Sequence, residues 1–253
     1  MFIVQNSEIP LSPTFAAMNK SSSVIAIVQA RMGSQRLPGK VLMSIEGRKV
    51  IDHLLDALLT VLPKEKIRIA TSTDSSSDLL AEYLLENDWA ILRGDEENVA
   101  WRFSELVKQK NCSHFFRLSG DSPLFDPKVL EEMLAISDQG DYDLITTVSK
   151  QPYPSGCNAE FLKASTFLEQ YPHFHLPGHF EHVTRYFYEN KAQFNLQEVL
   201  CPIKNARQHK FTLDTPEDKK VIETLFAQME QPHYTYSLLE KCQLYQKFIL
   251  RQS

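Results

Sequence analysis

Apolar and polar positions alternate along this chain with two periods. Residues 24–28 are a short, mostly β-branched apolar run between polar segments, the pattern of a buried strand. Residues 48–62 follow, with apolar side chains at 51, 54, 55, 58, 59 and 62, the spacing of a helix. The exchange repeats. Strands are predicted at 67–71, 89–92, 115–118 and 143–148, and helices at 78–86 and 97–110. Strands alternating with helices call for a mostly parallel sheet with right-handed crossovers.

Beyond residue 150 the pattern changes. Residues 153–161 read as a turn leading into a short strand, and a helix is expected around His179 and His182, running to Asn190. Further strands are expected at 194–200 and 209–213. A helix then starts at Thr215 and Pro216 and runs to about 227. The last helix, at 235–250, places Leu238, Cys242, Tyr245 and Ile249 on one face. Asp126 and Pro127 look like the N-cap and first residue of another helix, a structural role for Asp126.

The most informative loop leaves the first strand. From Val24 to Ile45 there is no acidic residue, while Arg31, Arg36 and Lys40 are cationic and Gly33 and Gly39 free the backbone. Ligands of open α/β sheets bind outside the carboxyl ends of strands. Glycine-containing loops there bring N–H groups close to anions, and three cations add charge-assisted contacts suited to a polyphosphate. A solvated basic loop is the plain alternative. The loop is not a Walker A sequence, because Val41 follows Lys40, and its glycines are wrongly spaced for a dinucleotide fingerprint.

The stretch from Ala30 to Lys40, Ala-Arg-Met-Gly-Ser-Gln-Arg-Leu-Pro-Gly-Lys, resembles the signature of the nucleotide-sugar cytidylyltransferases. These enzymes make CMP-activated 3-deoxy-manno-octulosonate and sialic acids, and the likeness is to their spore-coat-polysaccharide-type branch. The resemblance implies an α/β fold of the nucleotide-diphospho-sugar transferase type, with a small dimerising insertion and an acceptor segment at about 150–200. It implies Mg²⁺ as cofactor, CTP and a small acidic sugar as substrates, and a homodimer.

The likeness extends over most of the chain. Ala30, Gly33, Ser34, Ser119 and Gly120 are expected to line the nucleotide, with Arg31, Arg36 and Lys40 on its phosphates. Thr71, Ser72, Thr73, Arg93 and Gly94 match segments that border cytosine and ribose in the family. Ordinary turn chemistry accounts equally well for Ser72, Thr73 and Asp74. Asp121 stands at a strand end beside a glycine, where a carboxylate can hold a hard cation. By resemblance Asp121 and Asp214 are the two metal ligands, and Glu217 and Asp218 are left to the helix dipole. Tyr153, Ser155, Asn158, Glu160, Glu181 and His182 match the acceptor side of the family's cleft. There is a departure: Ser155 and Asn158 stand where spore-coat-type relatives carry arginine and aspartate, so the acceptor differs or its carboxylate is held elsewhere.

A net charge of −5 opposes broad nucleic-acid binding and favours a local cationic loop for a small anion. Cys112, Cys157, Cys201 and Cys242 form no Cys-x-x-Cys pair, which argues against a disulfide scaffold or structural zinc and for a reducing, cytoplasmic setting. The spacing of His173, His175, His179 and His182 does not match a zinc finger or a His-Glu-x-x-His helix. No apolar stretch is long enough for a membrane span, and no signal-peptide pattern opens the chain. Residues 1–22 read as an irregular extension before a single domain at 23–253. Met18 is an alternative start, and residues 1–17 are expected to be dispensable. Two rival functions remain: uridylyl or guanylyl transfer to a sugar phosphate, and nucleotide-dependent regulation without turnover.

Overall fold

The computed structural model describes residues 24–252, so the extension expected at 1–22 lies outside the described residues. The central element is a seven-stranded sheet. Its strands are β1 (Val24–Gln29), β4 (Ile67–Ser72), β5 (Ile91–Gly94), β6 (His114–Ser119), β7 (Leu144–Thr146), β8 (Glu160–Lys163) and β9 (Leu196–Glu198). They lie in the order β5-β4-β1-β6-β8-β7-β9. β1 pairs in parallel with β4 and β6, and β4 with β5. β8 runs antiparallel to both β6 and β7.

The apolar run of β1 follows from its central position. Val24, Ala26 and Val28 face one layer of core, and Ile25 and Ile27 face the other. A strand covered on both faces has no polar side to show. The first layer is closed by helices α1 (Val50–Leu59), α2 (Asp78–Glu86), α4 (Lys128–Ser137), α8 (Pro216–Phe226) and α9 (Leu238–Gln252). The second is closed by α3 (Val99–Lys110), α5 (Ala164–Gln170), α6 (Pro177–His182) and α7 (Arg185–Glu189).

Four expectations change. A hairpin of β2 (Ser44–Ile45) and β3 (Arg48–Lys49) precedes α1, turned by Glu46 and Gly47 at positive φ, as a two-residue hairpin requires. The strand expected at 209–213 is absent. Lys210 makes an isolated bridge to Ser155, and Phe211 and Leu213 give single backbone bonds to two different loops. Their alternation reflects burial of Phe211 and Leu213, not a ladder. The helix expected to reach Asn190 breaks at Val183, whose φ of 53° is costly for a buried β-branched residue. On the outer helix α9, Leu238 and Cys242 are buried but Ile249 is 47% exposed, so the apolar face covers only the first turns. Asp126 still caps, accepting from Lys128 N at 3.1 Å, although the helix begins one residue later than expected.

Candidate active site

The loop after β1 folds back on itself. The Met32 carbonyl accepts from Ser34 N at 2.9 Å and Gly39 N at 3.1 Å. Gly39 holds φ 71° at the N-terminus of a 3-10 turn over Lys40–Leu42, a conformation glycine adopts without a Cβ penalty. The turn tucks Lys40 inward until it is only 9% exposed. A buried ammonium must be paired, and here two carboxylates pair it.

Lys40 Nζ donates to Asp121 Oδ2 at 2.5 Å and to Asp214 Oδ1 at 2.9 Å. Asp121 follows β6, and its Oδ1 accepts from Ser119 Oγ at 2.8 Å. Its carbonyl accepts from Leu213 N at 2.9 Å, which ties the Asp214 segment to the end of β6. Asp214 in turn is held by the start of α8. Asp218 Oδ2 accepts from Asp214 N at 3.0 Å and Thr215 N at 2.9 Å, while Thr215 Oγ1 accepts from Asp218 N at 3.2 Å. This is a reciprocal cap. Asp218 therefore aims Asp214 as well as starting the helix.

Two further cations reach Asp214: Arg36 at 3.2 Å and Lys210 at 3.2 Å, with Lys210 also on Asp218 at 2.6 Å. Burial alone would raise the Asp214 carboxyl. The hydrogen bonds and charges of Lys40 and Lys210 outweigh it and hold the group below its ordinary value. The carboxylate is ionised and ready to share a cation.

These groups open into a cleft of about 1670 Å³ along the carboxyl ends of β1, β4, β5 and β6. Ala30, Arg31, Gly33, Ser34, Arg36, Lys40, Thr73, Arg93, Gly94, Ser119, Asp121, Glu181, His182 and Asp214 all line it. Arg31 spans Glu96 at 3.6 Å and Glu181 at 3.5 Å, linking the loop to α6.

The other expected site residues stand back from this lining. Thr71 and Ser72 are fully buried in β4, where Ser72 Oγ accepts from Asp74 N at 2.9 Å. Gly120 binds the β1 end through Gln29 O at 2.8 Å. Glu160 is buried and pairs with Arg117 Nη1 at 2.5 Å; it also accepts from the Tyr188 hydroxyl. Tyr153 is buried and donates to Glu132 Oε2 at 3.0 Å, and Ser155 Oγ meets Thr212 Oγ1 at 2.5 Å. Asn158 Oδ1 accepts from Thr147 Oγ1 at 3.4 Å. Within one chain, then, none of residues 153–160 lines the cleft, Ser155 and Asn158 being exposed elsewhere, and of the residues expected on the acceptor side Glu181 and His182 line it.

Sequence reasoning missed Lys210 and Arg102. The four-residue spacing of Lys210, Asp214 and Asp218 was the available signal for the first; a cation inside an apolar helical pattern was the signal for the second. The histidine cluster is structural at its centre. His179 is buried, its Nδ1 accepts from His175 N and Leu176 N at 3.4 Å, and its Nε2 meets Glu189 at 2.8 Å.

Among the described residues no three His, Cys, Asp or Glu side chains converge on one metal position. Asp121 and Asp214 are hard oxygen donors of the type that Mg²⁺ takes, and they meet on the Lys40 ammonium.

A cytidylyltransferase family profile matches residues 25–247. The spore coat polysaccharide biosynthesis protein SpsF of Bacillus subtilis is 33% identical over 227 residues, covering 86% of this chain and 92% of that protein. A 3-deoxy-manno-octulosonate cytidylyltransferase of Escherichia coli is 29% identical over 114 residues, 45% of each chain. A solved cytidylyltransferase of Leptospira borgpetersenii superposes with a TM-score of 0.83 at 25% identity, covering 90% of this chain and 96% of that one. In fold alone, a CMP:2-keto-3-deoxy-manno-octonic acid synthetase complexed with CTP also matches, with a TM-score of 0.61 at 19% identity over 82% of this chain and 99% of that one. With a profile spanning nearly all the described residues and this architecture behind it, the chain belongs to the cytidylyltransferase family.

Proposed function

We propose that this protein transfers CMP from CTP to a hydroxyl of a sugar acid or related acceptor, releasing pyrophosphate, in the synthesis of a surface polysaccharide or glycoconjugate precursor. The observation that carries the reading is the Lys40 ammonium held between Asp121 and Asp214 at the mouth of β1 and β6. The names of the relatives support the choice of nucleotide and of acceptor class. A cleft of about 1670 Å³ has room for both substrates.

In this reaction the acceptor oxygen forms a bond to the α-phosphorus as the bond to pyrophosphate breaks in line with it, and the hydroxyl proton is lost. The protein's main tasks are positioning and neutralising the charge that spreads onto the leaving group. Arg31, Arg36 and Lys40 would hold the β- and γ-phosphates. Asp121 and Asp214 would hold Mg²⁺, which when bound supplies charge neutralisation and a lower pKa for the attacking hydroxyl. Ser119 and Asp218 fix the two carboxylates, so little rearrangement is left for the reacting state.

The test is a pyrophosphate-release screen with CTP and Mg²⁺ against a panel of sugar acids, with UTP, GTP and ATP in parallel. Release with CTP and at least one sugar acid is expected. Release only with UTP or GTP and a sugar phosphate, or with no acceptor at all, would reject the assignment.

A further inference from the structure

Gln29 is the last residue of β1, and it lines the cleft. Alternation along the strand puts its side chain on the second-layer face, with Ile25 and Ile27. There its Oε1 accepts from Arg117 Nε at 3.2 Å. Arg117 Nη1 holds Glu160 at 2.5 Å, a carboxylate only 5% exposed. Glu160 accepts from the Tyr188 hydroxyl, which meets Thr146 Oγ1 at 2.7 Å. The bonds run across neighbouring strands, because Arg117 stands opposite Glu160 in the sheet register and Glu160 opposite Thr146.

This network fixes which end of the Gln29 amide faces outward. A guanidinium only donates, so Arg117 must take the oxygen. The Nε2 group is left without a partner among the described residues, and it is not sealed in the interior but open to the cleft that Gln29 lines. Gln29 also stands opposite Ser119 in register, and its carbonyl accepts from Gly120 N at 2.8 Å. The open amide is therefore one strand spacing, about 5 Å, from the segment that carries Asp121. Leu37 and Val41 of the Lys40 loop pack in the first layer, as does α8 behind Asp214. The leaving pyrophosphate belongs on that side, and an in-line displacement leaves the other side to the acceptor. Gln29 shares this second side with Glu181, whose charge Arg31 already pairs.

We propose that Gln29 holds the carboxylate of the acceptor sugar acid, its Nε2 donating to a carboxylate oxygen. This takes over the task of the arginine that Ser155 replaces, which lies off the cleft. In the ring form of a 2-keto sugar acid the attacking hydroxyl and the carboxylate share one carbon, so a group that binds the carboxylate also aims the nucleophile. Arg117 behind the amide strengthens the bond by polarising it. The assignment rests on the CMP-transfer reading above.

The test is steady-state pyrophosphate release with CTP and Mg²⁺. The acceptors are the sugar acid turned over fastest in the screen above and its methyl ester, with wild-type protein, Gln29→Glu and Gln29→Leu. Gln29→Glu keeps the size and the bond to Arg117 but turns an oxygen toward the cleft. The wild type is expected to favour the acid over its ester in kcat/KM by on the order of tenfold or more. In both variants the acceptor KM rises by about tenfold or more and the preference for the acid is lost, while the KM for CTP changes by less than about twofold. A folded variant that keeps the preference overturns the proposal. So does one whose KM for CTP rises in step with that for the acceptor, since that marks general damage to the cleft. Equal use of acid and ester by the wild type overturns it too, and that comparison needs no variant to fold. Release only from acceptors without a carboxylate refutes the role of Gln29 and leaves CMP transfer standing. Release from no acceptor refutes both.

Discussion

Lys40 and Asp214 stand 174 residues apart in the chain, and the lysine ammonium lies 2.9 Å from the aspartate carboxylate. The same ammonium lies 2.5 Å from Asp121. Replacing Asp121 with Asn leaves Lys40 paired with Asp214 and an amide oxygen still able to accept from it, so the fold is expected to persist. Pyrophosphate release from Asp121→Asn is expected to fall by on the order of 10²–10³. A variant that turns over at near the wild-type rate would end the case for Asp121 as a working residue.

Metal removal gives an independent reading of the same pair. Chelation of divalent cations is expected to abolish pyrophosphate release, and added Mg²⁺ to restore it. Asp214→Asn is expected to raise the Mg²⁺ concentration for half-maximal rate by about tenfold or more. Full activity after exhaustive chelation, or an unchanged Mg²⁺ requirement in the variant, would contradict this assignment.

Behind the cleft, Glu160 accepts from Arg117 and Tyr188, and Arg117 Nε also reaches Gln29 Oε1 at 3.2 Å. The Tyr188 phenol is buried and beside Glu160, both of which raise its pKa and keep it a donor. Removing one member of a buried charged pair leaves the other uncompensated. Glu160→Ala is expected to destabilise the fold by about 3–5 kcal/mol, and Tyr188→Phe by about 1–3 kcal/mol, read from urea denaturation. A Glu160→Ala protein as stable as the wild type but weak in acceptor binding would return Glu160 to the acceptor site.

Two buried imidazoles make stability depend on pH. His53 Nε2 meets the Ile45 carbonyl at 3.0 Å, and its ring lies edge-on to that of His233. Burial lowers the pKa of His53 and, more strongly, of His233. The unfolded chain then binds more protons than the folded one once pH falls below about 6.5, and stability is lost through that window. Asp56 acts in the opposite sense, because burial raises its carboxyl to about 6 and so favours the fold on acidification. Comparison with His233→Phe isolates the larger of the two histidine contributions. Its urea midpoint is expected to fall less than that of the wild type between pH 7.5 and 5, and identical slopes would show that His233 does not matter.

The sheet was readable in the sequence because its central strands are buried on both faces: β1 writes that burial as an apolar run, and β4 and β6 as shorter apolar pieces interrupted by Arg68 and Arg117. Trp89 was placed in a strand that in fact covers Ile91–Gly94, since boundaries depend on pairing partners that periodicity does not show. The 209–213 segment misled for a related reason: alternating burial at Phe211 and Leu213 arises in an irregular segment held by single bonds. In the cleft, the nearness of Lys40, Asp121 and Asp214 was expected from the family resemblance. Arg102 and Lys210 were not: a cation in an apolar helical pattern and the spacing of Lys210, Asp214 and Asp218 were signals, but neither says what the fold will set beside them. The break at Val183 was equally invisible, since a β-branched residue gives no warning of positive φ.

The bond from Leu213 N to the Asp121 carbonyl has a bearing on how the protein is made. During synthesis the ribosome delivers the lysine and the first aspartate long before the second, so no early fragment can hold a finished reaction centre. All seven strands of the sheet precede Asp214 in the chain, so the second carboxylate is the last part of the centre to be made, and the Leu213 bond is what seats it against the end of β6.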